Sequence, residues 1–127
     1  MTLSAQPADL DPQPLDRATA LPARFYTDPA VAALDRNAIF DHSWQLVAHV
    51  CQLRNAGDHA IADLGGLPVI AVRGADEAIR VMHNVCRHRA GPLAQCDGLG
   101  AKSLRCRYHG WTYALDGQLR SATEMAD

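Results

Sequence analysis

At 127 residues, with 48% hydrophobic and 20% charged side chains, the chain is long enough for one domain whose apolar core needs no disulfide staples. Its net charge of −2 excludes polyanion binding through overall charge, and no apolar run approaches the roughly 18 residues of a membrane span. The first basic residue, Arg17, follows Asp9, Asp11 and Asp16 with no apolar stretch behind it, so nothing reads as a secretory leader and a cytoplasmic location is expected.

Residues 1–24 hold Pro7, Pro12, Pro14 and Pro22 and few large apolar side chains, the composition of an extended lead-in. Residues 25–43 are predicted to be an N-terminal helical segment packing on the main domain. The helix itself is placed over 28–41: Asp28 can cap it, Pro29 suits its first position, and Val31, Leu34, Ala38 and Phe40 give an apolar stripe. Residues 44–127 form the main domain, and its signals are those of strands. Residues 44–53 are apolar and read as a strand in which Cys51 is a small buried residue. Residues 59–64 and 67–72 flank Gly65-Gly66, a two-residue hairpin turn. Residues 78–85 alternate, with Ile79, Val81, His83 and Val85 on one face and Arg80, Met82 and Asn84 on the other; the first face is predicted to be buried, making His83 a core histidine. Residues 111–115 and 118–121 flank a second hairpin turn, Asp116-Gly117. Short strands separated by glycine turns predict a mostly β fold, a small antiparallel sandwich or barrel.

The cysteines are Cys51, Cys86, Cys96 and Cys106, and in a reducing compartment a patterned set points to metal before disulfides. The pattern is Cys86-Arg87-His88, then 17 residues, then Cys106-Arg107-Tyr108-His109. Each half supplies one thiolate and one imidazole at a strand end, followed by turn formers: Gly91-Pro92 in the first, Gly110 in the second. Two loop tips of this kind can converge on one metal centre. Mixed sulfur and nitrogen ligation fits a diiron cluster in which two Cys bind one iron and two His the other. A structural zinc module is the competing reading, although zinc sites usually group like ligands within a loop. Cys96, between the two pairs, is expected to be a free thiol, and His42, His49 and His59 share no ligand spacing.

Asn84-Val85-Cys86-Arg87-His88-Arg89 and Cys106-Arg107-Tyr108-His109-Gly110-Trp111-Thr112-Tyr113 resemble the two cluster loops of Rieske non-heme iron oxygenase large subunits, the ring-hydroxylating type. The likeness begins near Leu21 and includes Ser43-Trp44-Gln45; in detail it is similar to the branch that holds choline monooxygenase and other enzymes of quaternary ammonium compounds. The resemblance implies a Rieske-type antiparallel β-sandwich or barrel with two cluster-binding loops. It implies one [2Fe–2S] cluster held by Cys86, His88, Cys106 and His109, with Arg89, Gly91, Tyr108, Gly110, Trp111 and Tyr113 around it. It further implies one-electron relay from a reductase or ferredoxin to the mononuclear iron of a mono- or dioxygenase. Such an iron is held by two His and one carboxylate. No matching set is found here, so the catalytic domain is expected to be absent from this chain, and an acid in a neighbouring subunit's catalytic domain to meet a ligand imidazole. A free-standing Rieske ferredoxin is the alternative, and the N-terminal 40 residues argue against it.

Compared with the high-potential Rieske proteins of respiratory complexes, the positions of their two extra loop cysteines are Gly91 and Tyr108, and Trp111 stands where they carry a sulfide-binding Ser. Tyr113 matches a tyrosine that donates to a cysteine sulfur. Fewer donors to sulfur leave the reduced state less stabilised, which implies a potential of about −150 to 0 mV. Residues 78–115 carry five Arg and one Lys against one acid, Asp97, and Arg87, Arg89, Arg105 and Arg107 adjoin the ligands. Such arginines favour a reduced, more negative centre and can pair with carboxylates on a partner. The charge is local and lacks a stacking series, so nucleic acid is not an expected partner. The ligand imidazoles are expected to be neutral, with a second ring N–H left free to titrate.

Overall fold

The structure, a computed structural model, describes residues 11–123; the first part of the proline-rich lead-in, residues 1–10, lies outside the described residues, as do residues 124–127. The chain divides between Trp44 and Gln45 into two compact units.

In the first unit residues 11–23 form no helix or strand and are exposed. The helix expected over 28–41 is shorter and preceded by another: α1 spans Arg24–Thr27, α2 spans Pro29–Ala38, and a 3₁₀ turn follows at Phe40–His42. Pro29 explains the break, because a residue before proline is pushed out of the helical region. Asp28 accordingly sits at φ −86°, ψ 118°, and its carboxylate accepts from Ala30 N–H at 2.9 Å to cap α2.

Residues 44–53, expected to be a strand, form none: they run irregularly into a 3₁₀ turn at Val50–Gln52. Local hydrogen bonds satisfy the backbone there, His49 Nδ1 accepting from Cys51 N–H (3.1 Å) and Gln52 Oε1 from His49 N–H (2.8 Å). Cys51 is exposed as a result, not buried as expected. Leu53 alone of the turn is buried, against Ala60 and Ala71.

From there the chain is strand and turn. Strands β1 (His59–Leu64), β2 (Leu67–Arg73) and β3 (Ile79–His83) form an antiparallel sheet in that order, and β4 (Leu104–Arg105), β5 (Thr112–Tyr113) and β6 (Leu119–Ser121) form a second. The fold is mostly β and antiparallel, as the sequence led one to expect. Leu64 pairs with Leu67 across Gly65 and Gly66, whose φ angles of +65° and +96° are those of a tight hairpin turn closed to most side chains. Both sheets contribute to one core of Ile70, Val72, Leu104, Tyr113 and Leu115, together with Cys86, Leu93, Ala94 and Cys106 from the segments after β3 and β4.

The alternation of β3 holds, but its faces are reversed. Ile79 and Val81 are 42% and 53% exposed and His83 is exposed too, so it is not a core histidine. Met82 packs on the core, and the same parity continues into buried Asn84 and Cys86. The side chains that continue toward the two loops thus select the inner face, ahead of the larger apolar surface of Ile79 and Val81.

The segment joining the two Cys/His pairs is tied to β1. Asp97 accepts from Ile61 N–H at 2.9 Å, and buried Asp58 accepts from Asn55 N–H at 2.8 Å and Gly100 N–H at 3.0 Å. The Asn55 N–H holds the Asp58 carboxyl below the usual carboxylate range; burial opposes this, and Gly100 adds to it. A depressed native pKa contributes stability that is complete above about pH 4 and is lost as pH falls through the folded-state value. Asp58→Asn is therefore expected to lower Tm at neutral pH and to flatten the acid side of the stability profile, measured by thermal melts from about pH 7 to about pH 2.

Candidate metal centre

The two loops that carry the Cys/His pairs are closed by the same pair of backbone bonds. In loop 1 Cys86 N–H donates to Gly91 C=O (2.7 Å) and Ala90 N–H to Cys86 C=O (2.9 Å); in loop 2 Cys106 N–H donates to Trp111 C=O (2.9 Å) and Gly110 N–H to Cys106 C=O (3.0 Å). The fourth residue after each cysteine is left-handed, Ala90 at φ +56° and Gly110 at φ +77°. Gly110 was singled out from sequence and Ala90 was not; an alanine carries no signal for positive φ, and only the repeated turn reveals it.

The fold sorts the donors by kind. Cys86 and Cys106 are 2% and 3% exposed and lie in one core cluster, whereas the half-buried rings of His88 and His109 meet edge to face with centroids 4.6 Å apart. Each sequence pair mixes sulfur with nitrogen, yet in space sulfur lies with sulfur and imidazole with imidazole. Among the described residues no three His, Cys, Asp or Glu side chains converge as a site for one metal ion.

The groups around the donors favour metal-binding protonation states. Burial pushes the Cys86 thiol up, but hydrogen bonds from the Tyr113 hydroxyl, the His88 and Arg89 N–H groups and Cys106 together bring it below the ordinary thiol value. Tyr113 is 3% exposed; its hydroxyl lies 3.3 Å from Cys86 Sγ and accepts from Arg87 N–H at 3.0 Å. Burial and then the Cys86 contact push the Tyr113 phenol up, and its hydroxyl is within hydrogen-bond reach of the Cys86 sulfur, where either group can be the donor. Burial, and then the neighbouring His109 and Arg89, push His88 down toward the neutral imidazole that a metal requires. His109 Nδ1 is buried with no hydrogen-bond partner, and so is Trp111 Nε1. An orphaned imidazole nitrogen on a loop that also carries a buried thiol fits a bound metal group, because a buried lone pair otherwise costs free energy.

The remaining residues singled out from sequence frame these donors. Trp111 stacks on His88 (4.9 Å, interplanar angle 10°), and Tyr108 lies 3.8 Å from the His109 ring centroid. A Cβ on Gly91 would meet Cys106 Sγ at 3.3 Å, so this glycine lets the loops approach. Arg87, Arg89, Arg105 and Arg107 are exposed; Arg107 donates to Gln95 Oε1 at 3.1 Å, and among the described residues none of the four pairs with a carboxylate. Cys96 is a free, exposed thiol.

Comparison with known proteins yields one concordant set of matches. Residues 43–127 match the model of the Rieske [2Fe–2S] domain. The glycine betaine monooxygenase oxygenase subunit of Chromohalobacter salexigens is 46% identical over 101 residues, covering 79% of this chain and 22% of that protein. The chloroplastic choline monooxygenase of Arabidopsis thaliana is 38% identical over 93% of this chain and 28% of its own length. Among solved structures, the quaternary ammonium Rieske monooxygenase CntA in complex with L-carnitine superposes with a TM-score of 0.75 at 36% identity, over 81% of this chain and 29% of its own. Naphthalene 1,2-dioxygenase from Rhodococcus sp. superposes with a TM-score of 0.75 at 32% identity, over 82% of this chain and 24% of its own. This chain thus spans less than a third of the length of each of these relatives.

The loop contact at Gly91 is open to test. Gly91→Ala is expected to push loop 1 off Cys106 and lower the iron and acid-labile sulfide bound per chain several-fold, measured colorimetrically on purified protein. Gly110→Ala, which must hold an alanine at φ +77°, is expected to cost about 1–2 kcal/mol of stability in denaturant unfolding.

Proposed function

The chain belongs to the Rieske [2Fe–2S] domain family, and on that premise we propose that Cys86 and Cys106 hold one iron of its single cluster and His88 and His109 the other. The observation that carries this assignment is the pairing in space of thiol with thiol and imidazole with imidazole. A diiron cluster with two Cys on one iron and two His on the other asks for that division, whereas a tetrahedral zinc site draws all four donors to one point. When bound, the cluster supplies storage and release of one electron.

The residues of this chain govern that electron. Tyr113 donates to the Cys86 sulfur and stabilises charge added on reduction. Trp111 covers one face of His88 and fixes its ring plane. His109 turns its buried Nδ1 inward, which leaves the other ring nitrogen to carry a proton or meet a carboxylate. Arg87, Arg89, Arg105 and Arg107 form a basic surround, paired with no carboxylate among the described residues, that offsets the added negative charge and suits an acidic partner.

The electron is taken to come from a reductase or ferredoxin and to pass to a mononuclear iron in a catalytic domain of the quaternary ammonium or aromatic type, one supplied in cis or by a neighbouring subunit. In this reading residues 44–127 are the electron-transfer domain and 25–43 the helical segment before it. No helix among the described residues is long and apolar enough to cross a membrane. Exposed free Cys51 and Cys96 suit a reducing compartment, which favours the cytoplasm.

Purified protein is expected to contain about two irons and two acid-labile sulfides per chain, with a midpoint potential of about −150 to 0 mV. Zinc without sulfide, or an unchanged visible spectrum in the His88→Ala/His109→Ala double variant, rejects the assignment. Tyr113→Phe removes a donor to sulfur; a loss of about 1 kcal/mol in the reduced state moves a one-electron potential about 40 mV more negative, read by redox titration.

A further inference from the structure

The two loops share a turn but not a support. Loop 2 is the tip of a hairpin: its stems β4 and β5 pair directly, Leu104 with Tyr113 and Arg105 with Thr112. Loop 1 leaves from β3, which among the described residues pairs with β2 alone, and its return leg through Leu93 and Ala94 lies in no strand. That leg is nonetheless buried, Leu93 at 8% and Ala94 at 9% exposure, so its backbone groups cannot rely on water.

One side chain satisfies three of them. Asn84 Oδ1 accepts from Leu93 N–H at 3.0 Å and from Ala94 N–H at 2.9 Å, while Asn84 Nδ2 donates to Ala94 C=O at 2.8 Å. The Asn84 backbone N–H donates to Pro68 C=O in β2 at 2.9 Å, and the residue is 6% exposed. A single amide thus takes the place of the missing ladder. Both acceptor sites of its oxygen are used, together with one donor of its nitrogen. Aspartate keeps the acceptors and loses the donor. Leucine, with the same branching of heavy atoms but larger methyl groups, loses all three bonds.

We infer that Asn84 is a positioning residue for the cluster: it closes the base of loop 1 and so holds Cys86 and His88 in ligating position without touching the metal. The inference rests on the ligand assignment proposed above. Its action runs through Cys86, two residues along the chain, whose own N–H closes the turn onto Gly91. A residue with only a structural role would lower Tm when removed but leave the cluster of the folded molecules unaltered. A positioning residue governs how tightly the folded chain retains its cluster, on the scale of other groups that orient metal ligands.

The test compares wild type, Asn84→Asp and Asn84→Leu as cluster-loaded full chains. Cluster loss to excess chelator is followed by visible absorbance at a temperature where far-UV circular dichroism shows each protein folded. Asn84→Leu is expected to lose the cluster roughly 10- to 100-fold faster than wild type, with an altered visible circular dichroism of the cluster, and Asn84→Asp to fall between the two. Where Asn84→Leu does not fold, Asn84→Asp decides alone. Wild-type rates and an unaltered cluster spectrum in the folded variants overturn this inference while leaving the ligand assignment intact. A wild-type chain that takes up neither iron nor sulfide overturns both.

Discussion

The close approach of the two loop tips, with Gly91 set against the Cys106 sulfur, is the contact on which the rest of the site depends. The thiols lie inside the core with Ile70, Val72 and Leu104, and a Cβ at position 91, 3.3 Å from the sulfur, would ask that sulfur to give by a few tenths of an ångström. Interiors are packed to the density of organic crystals, so even a shift of that size is felt by the neighbouring side chains. The imidazoles ride on the same backbones two and three residues after their cysteines, so the approach that brings sulfur to sulfur also brings His88 to His109. A single steric condition thereby converts two mixed sequence pairs into two like pairs in space.

Electrostatics then divides the site into an inner and an outer part. Inside, burial penalises charge, and Cys86 is still biased toward thiolate because donors gather on it: one phenol and several backbone N–H groups. Outside, the exposed arginines add positive potential without pairing off among the described carboxylates. The two parts act in the same direction, since hydrogen bonds to sulfur and nearby guanidinium groups both favour the more negative of two oxidation states. They differ in reach: Tyr113 acts on one atom at 3.3 Å, whereas an exposed guanidinium is screened by salt and acts more weakly on the centre than on an approaching partner.

How much of this was legible in the chain follows from how local each signal is. The Gly65-Gly66 and Asp116-Gly117 turns are set by two residues, and both hairpins formed where expected. The candidate ligands were legible because Cys and His at fixed short spacing are rare together, and the N-cap at Asp28 because capping needs one side chain and its neighbours. The signals that failed were those that depend on distant partners. Residues 44–53 have the composition of a strand, but His49 and Gln52 meet the backbone's needs first. The faces of β3 were assigned from the bulk of Ile79 and Val81, although the inner face is chosen by what Met82, Asn84 and Cys86 reach farther on. Cys51 followed the failed strand to the surface.

The hairpin of the second sheet contributes to both loops, and the two are supported unequally. Trp111, just before β5, and Tyr113, its last residue, stand two residues apart, a spacing that places their side chains on one side of an extended chain. Both reach loop 1: Trp111 lies flat on His88, while the Tyr113 hydroxyl meets Cys86 Sγ and Arg87 N–H. Loop 2 needs no such help, because its stems are laddered directly beneath it. Loop 1 carries its left-handed turn on an alanine, has no ladder under its return leg, and is held by side chains from its base and from across the site. The two halves of the site thus reach the same turn by different means: a strand ladder beneath loop 2, and side-chain hydrogen bonds and ring contacts around loop 1.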